Sequence, residues 1–184
     1  MSKHKISLAV LKRAKNVRLL LMDVDGVLTD GGIWLMASPG GGLVEAKCFN
    51  SLDGAGLVQI RQAGIETGVI TKRSSEALAR RARELSMAFV FQGVEVKLEA
   101  YREIIAATGW RDEQVCFIGD DVTDLPVLVR VGLAVAAANA HEEVRKRAHY
   151  TTRSRGGHGA VREVTDLILK AQGKWHDIVA RASK

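Results

Sequence analysis

Short apolar runs alternate along this chain with stretches whose apolar residues recur at helical spacing. Val17-Arg-Leu-Leu-Leu-Met22 reads as a buried strand, and so do Glu66–Thr71, Ala88–Phe91, Gln114–Ile118 and Gly132–Ala136. Between them lie predicted helices. One opens at Ser74 and Ser75, with apolar residues at Ala77, Leu78, Ala82 and Leu85. The others span Glu95–Thr108, a short stretch ending at about Val129, and Ala160–Ala171. Strand and helix in alternation predict right-handed crossovers and a parallel central sheet between helical layers, an α/β architecture. One segment breaks the rhythm. Ile33–Met36 and Leu43–Phe49 flank Ala37-Ser-Pro-Gly-Gly-Gly42, so a β-hairpin is expected over about residues 32–49. Its apolar Trp34, Leu35 and Met36 would pack on its own core or on another subunit. A basic tail follows Gly173, with a short helix around Trp175. Residues 1–184 are expected to form a single domain.

Composition narrows the class. At 184 residues, 47% hydrophobic and 26% charged, the chain can bury a sizeable core. No apolar stretch is long enough to span a bilayer, and Met1-Ser-Lys-His-Lys5 is not followed by a signal-peptide core. Cys48 and Cys116 lie far apart, outside any metal-ligand spacing, and are expected to be reduced, mostly buried thiols, as in a cytoplasmic protein. The net charge is +6, but the basic residues are dispersed and aromatics make up only 5%, which offers little for stacking on nucleic acid. A basic surface also suits an anionic small substrate.

The chemistry gathers at predicted strand ends. Asp23-Val-Asp25-Gly-Val-Leu-Thr29 follows the first strand directly and delivers two carboxylates to its C-terminal end, where open α/β sheets bind ligands. Thr71 ends the second strand, Lys97 starts a helix, and Gly119-Asp120-Asp121-Val122-Thr123-Asp124 follows the fourth strand. Asp23 and Asp120 are hard oxygen ligands suited to Mg²⁺. Thr71 and Lys97 can hold the non-bridging oxygens of a phosphoryl group. Asp23 can attack phosphorus in line while Asp25 protonates the leaving oxygen. Each element alone is common: Asp-x-Asp and Gly-Asp-Asp are ordinary turns, and a strand-end Thr is an ordinary cap. Their joint occurrence in this order specifies a phosphatase.

These motifs resemble the four motifs of the haloacid dehalogenase-like phosphatases. Phe49-Asn50 with Asp53-Gly54 and Gly56, Phe91-Gln92-Gly93 with Lys97, Val131–Ala136 and Arg155–Glu163 resemble one capless branch, the 3-deoxy-D-manno-octulosonate 8-phosphate phosphatases. The resemblance covers roughly residues 17–172. It implies a Rossmann-like three-layer sandwich with no cap domain and a Mg²⁺-dependent phosphomonoesterase. Asp23 would be the nucleophile that forms an aspartyl-phosphate, and Asp25 the acid/base with its main-chain carbonyl on the metal. Asp120 would be the third protein ligand, supported by Asp121 and Asp124, with Thr71 and Lys97 on the phosphoryl group. It also implies a homotetramer in which a neighbouring subunit and its tail, ending Arg181-Ala-Ser-Lys184, close the site.

For specificity, Arg73 could meet the carboxylate of an anionic sugar acid. Arg153, Arg155 and Arg162, around Gly156-Gly157-His158-Gly159, are further candidates or surface residues. His158 is expected to be a loop residue, and Asp53 a helix N-cap. The chain departs from the usual Thr-Gly-Arg of the second motif with Thr71-Lys72-Arg73, and the hairpin turn is longer and more apolar. The alternatives are a phosphatase for a nine-carbon sialic-acid-type sugar phosphate and a non-catalytic oligomerisation or ligand-binding module.

Overall fold

The computed structural model describes residues 6–182. The N-terminal Met1–Lys5 and the tail's last two residues, Ser183 and Lys184, lie outside the described residues. A six-stranded sheet forms the centre, built from β1 (Leu19–Met22), β4 (Glu66–Ile70), β5 (Phe89–Phe91), β6 (Val115–Gly119), β7 (Leu133–Ala136) and β8 (Tyr150–Thr151). The strand order is β5-β4-β1-β6-β7-β8, and every pairing is parallel. β2 (Trp34–Ala37) and β3 (Leu43–Ala46) pair antiparallel as a separate hairpin, with Trp34 opposite Ala46 and Ala37 opposite Leu43.

The unbroken apolar runs are explained by burial on both faces. Side chains of successive strand residues enter opposite layers. Leu20, Met22, Val69, Cys116 and Ile118 belong to one core, which also holds Val10 and Ala14 of α1 (Leu8–Asn16), Leu57 and Ile60 of α2 (Ser51–Gln62), Leu78 of α3 (Glu76–Glu84) and Val164 and Ile168 of α7 (Ala160–Ala171). Leu19, Leu21, Ile70 and Phe117 belong to the other, with Tyr101 and Ile104 of α4 (Lys97–Thr108), Val127 and Leu128 of α5 (Leu125–Leu128) and Val144 of α6 (Glu142–Arg147). Each fully buried Leu of β1 contributes about 2 kcal/mol from apolar transfer. This sandwich is the expected α/β class.

Several elements differ from the sequence expectation. α1, α6 and the two-residue β8 were not anticipated, and α2 was expected only through a cap at Asp53. The N-cap of α2 is Asn50, whose side chain accepts from Leu52 N at 2.8 Å. Asp53 caps a different helix: its carboxylate accepts from Arg162 N at 2.7 Å and Gly159 N at 3.3 Å, at the start of α7. Of the two cysteines, Cys116 is buried but Cys48 is exposed. α8 (Trp175–Ala182) folds back on α7, where Trp175 lies under the Lys170 ammonium at 4.8 Å and the Arg162 guanidinium at 5.7 Å.

Candidate active site

The chain leaves β1 and moves outward on one side through β4 to β5. It then returns to the opposite flank of β1 with β6, so the strand order reverses at β1. Ligands of open α/β sheets bind at such a switch point, beyond the strand C-termini. A cleft of about 330 Å³ opens there, lined by Asp23, Asp25, Thr71, Lys72, Arg73, Lys97, Asp120, Asp121 and Thr123, among others. The sequence-predicted residues therefore converge, with one exception. Asp124 lies beneath the lining, fully buried.

Asp23 follows β1 and continues its pairing, with Asp23 N donating to Ile118 O at 3.0 Å. The chain then turns at Gly26, whose φ is +90°. A β-carbon there would lie 2.0 Å from an Asp120 oxygen, so glycine is required both by the backbone and by the neighbouring carboxylate. Asn139 holds the same turn. Its amide donates to Gly26 O at 2.9 Å, and its side-chain oxygen accepts from Gly156 N at 2.6 Å. The glycine-rich segment 156–159 is thus a buttress for the Asp23–Thr29 loop. Neither Arg153, Arg155 nor Arg162 lines the cleft. Arg162 instead pairs with Asp166 at 2.7 Å. The Nδ1 atom of His158 lies 2.7 Å from its neighbour's carbonyl, Gly157 O.

Lys97 is the electrostatic hub. Its ammonium lies 2.9 Å from Asp23 and 2.7 Å from Asp124, with the side chain almost wholly buried. Burial pulls the ammonium down, but the two carboxylates outweigh it and raise its pKa overall. Asp124 also accepts from the main-chain N–H of Asp120 and Asp121, at 2.9 and 3.2 Å. Its role here is to fix both Lys97 and the Asp120 loop. Thr71 is buried, and its hydroxyl accepts from Arg73 N at 3.3 Å.

Asp23, Asp120 and Asp124 each offer an oxygen within 4.8 Å of the others. Asp120 Oδ1 is buried and has no hydrogen-bond partner among the described residues. Burial, then the charge on Asp124, pushes Asp23 up to about 6 against the pull of Lys97. Burial, then the charge on Asp23, pushes Asp120 up to about 7. An orphaned carboxylate oxygen among mutually repelling carboxylates fits a hard divalent cation, which would satisfy the first and offset the second.

Two participants were missed from sequence. The side chain of Lys47, just beyond β3, is buried and contacts Asp25 Oδ1 at 2.5 Å and Glu45 Oε1 at 3.1 Å. Glu45 also pairs closely with Arg73, whose Nε lies 3.9 Å from Asp25 Oδ2. Lys47, Glu45 and Arg73 together tie the hairpin to Asp25. Glu45 and Lys47 share one strand face as an i, i+2 pair, which was the available signal.

Comparison with known proteins agrees with this geometry. Residues 58–164 match the family of haloacid dehalogenase-like hydrolases. The chain is 47% identical over 165 residues to the 3-deoxy-D-manno-octulosonate 8-phosphate phosphatase of Yersinia pestis, covering 90% of this chain and 86% of that protein. It is 43% identical over 169 residues to the Escherichia coli K12 phosphatase of the same name, covering 92% and 88%. The crystal structure of the Moraxella catarrhalis phosphatase of that name, in complex with magnesium, phosphate and KDO, superposes with a TM-score of 0.88. The identity is 38%, with 94% of this chain and 97% of that chain covered.

Proposed function

The chain belongs to the haloacid dehalogenase-like hydrolases and is a phosphoric monoester hydrolase; from that premise we propose that it converts 3-deoxy-D-manno-octulosonate 8-phosphate to the free sugar acid and phosphate. The observation that carries this reading is the Asp23 carboxylate, held 2.9 Å from Lys97 in a cleft that also presents Asp25, Thr71 and Asp120. The identity to phosphatases of that substrate supports the choice of sugar acid.

Asp23 attacks phosphorus, the bond from phosphorus to the sugar oxygen breaks, and Asp25 gives its proton to the departing oxygen. Asp25 then takes a proton from water as the water oxygen attacks the aspartyl-phosphate, and the Asp23–phosphorus bond breaks to release phosphate. Lys97 neutralises Asp23 and the phosphoryl oxygens, and the Thr71 hydroxyl donates to one of them. Lys47 and Arg73 fix the orientation of Asp25. Mg²⁺, held by Asp23, Asp120 and the Asp25 carbonyl, would supply the remaining charge neutralisation. Asp121 and Asp124 support that set.

The assembly proposed is a homotetramer in which a neighbouring subunit covers the hairpin and helps close the cleft. Trp34 at 61% and Leu43 at 70% exposure favour such a cover. Sedimentation velocity tests it: a monomer at micromolar concentration contradicts it. The activity is tested by phosphate release from octulosonate 8-phosphate, with Mg²⁺ and with chelator, beside a nine-carbon sugar-acid phosphate. Mg²⁺-dependent release favouring the octulosonate is expected; equal or faster release from the nine-carbon substrate would contradict the substrate assignment.

A further inference from the structure

The cleft must receive a substrate with two anionic groups if the reading above holds: the phosphoryl group that reacts and the carboxylate of the sugar acid. The cations in and behind it differ in how far they are already neutralised. Lys97 is shared between Asp23 and Asp124. Lys47 is shared between Asp25 and Glu45. Arg73, the residue that sequence reasoning favours for the carboxylate, is already paired closely with Glu45 and lies 3.9 Å from Asp25. An Arg73 that took a substrate carboxylate would have to share or give up Glu45, so its net attraction is small.

Lys72 is different. It lines the same cleft, is exposed, and among the described residues makes no ion pair with any carboxylate. Its place on the rim is fixed from both sides. Thr71 N donates to Phe91 O at 2.9 Å, Val94 N donates to Thr71 O at 3.1 Å, and Arg73 N donates to the Thr71 hydroxyl at 3.3 Å. The four-carbon stem therefore pivots from an anchored backbone and can carry its ammonium over the opening.

We propose that Lys72 is the specificity residue that receives the substrate's carboxylate, and that Arg73 is a positioning residue held by Glu45. This rests on the sugar-acid reading. The test compares kcat/KM for octulosonate 8-phosphate with that for p-nitrophenyl phosphate, which has no carboxylate. The ratio is expected to fall about tenfold in Lys72→Ala, through KM, and to recover in Lys72→Arg; the wild-type ratio should also shrink with added salt. An unchanged ratio in Lys72→Ala overturns the assignment. So does an equal loss on both substrates, which would place Lys72 on the phosphoryl group. If wild type prefers the nine-carbon sugar-acid phosphate, the octulosonate reading fails on its own. The same ratio, measured with that substrate, then decides Lys72: a tenfold fall upholds it and no fall overturns it.

Discussion

All four residues of β1 are buried, whereas all four residues of β2 are exposed. The first strand leads directly into Asp23, and the second belongs to the hairpin that brings Lys47 to Asp25. The floor of the cleft is therefore set by the sheet, with every carboxylate held by donors or opposed by a neighbour. The hairpin has almost no core of its own in the single chain, yet one buried lysine on it reaches the proposed acid/base. In this reading phosphoryl chemistry and its orientation fall to regions of opposite burial. A change on the floor should abolish turnover, and a change on the hairpin should only detune it.

The largest effect is expected from Asp23→Asn. Removing the proposed nucleophile should lower kcat by about 10⁴-fold or more while leaving the far-ultraviolet circular dichroism intact. Lys97→Met comes next. It leaves Asp124 fully buried without its ammonium partner, so urea unfolding should show a loss of about 3 kcal/mol and kcat should drop roughly 10²- to 10³-fold. On the hairpin, Lys47→Ala should reduce kcat by roughly ten- to hundredfold with KM little changed, and Lys47→Arg should recover part of the loss. A fall as deep as that of Asp23→Asn would erase the distinction between the two regions.

The smallest effect concerns the floor without its cation. Asp23 and Asp120 hold protons more tightly in the folded chain, at about 6 and about 7, than at the usual 3.8. They therefore contribute stability below about pH 4 that is lost as pH rises through 6 to 7. In chelator, the melting temperature should decline over that window. The decline should be shallower in Asp120→Asn by about 3 °C, and Mg²⁺ should offset it at neutral pH. Equal slopes in the two proteins would show that Asp120 is not under this repulsion.

The strands were legible because burial on both faces leaves unbroken apolar runs. The residues of the cleft were legible because strand ends in a parallel sheet must share an edge. The extent of α2 was obscured by its own glycines. A β-carbon at Gly56 would lie 2.4 Å from the Thr165 hydroxyl, so close packing on α7 requires a residue that disfavours helices. Asp53 was assigned to its own helix because capping is read locally, whereas it accepts from backbone more than a hundred residues away. Lys47 and Glu45 were missed for the same reason. Their partners, Asp25 and Arg73, are brought to them only by the folded hairpin. β8, with two residues, has too little pattern to register.

The central claim is that Asp23 carries the phosphoryl group. The most direct measurement is acid quenching of the enzyme during turnover of substrate labelled in its phosphate, followed by peptide mapping. Label on a hydroxylamine-sensitive peptide containing Asp23, and its loss in Asp23→Asn, is the predicted result. Turnover with no trapped label, or label that persists in Asp23→Asn, would contradict it.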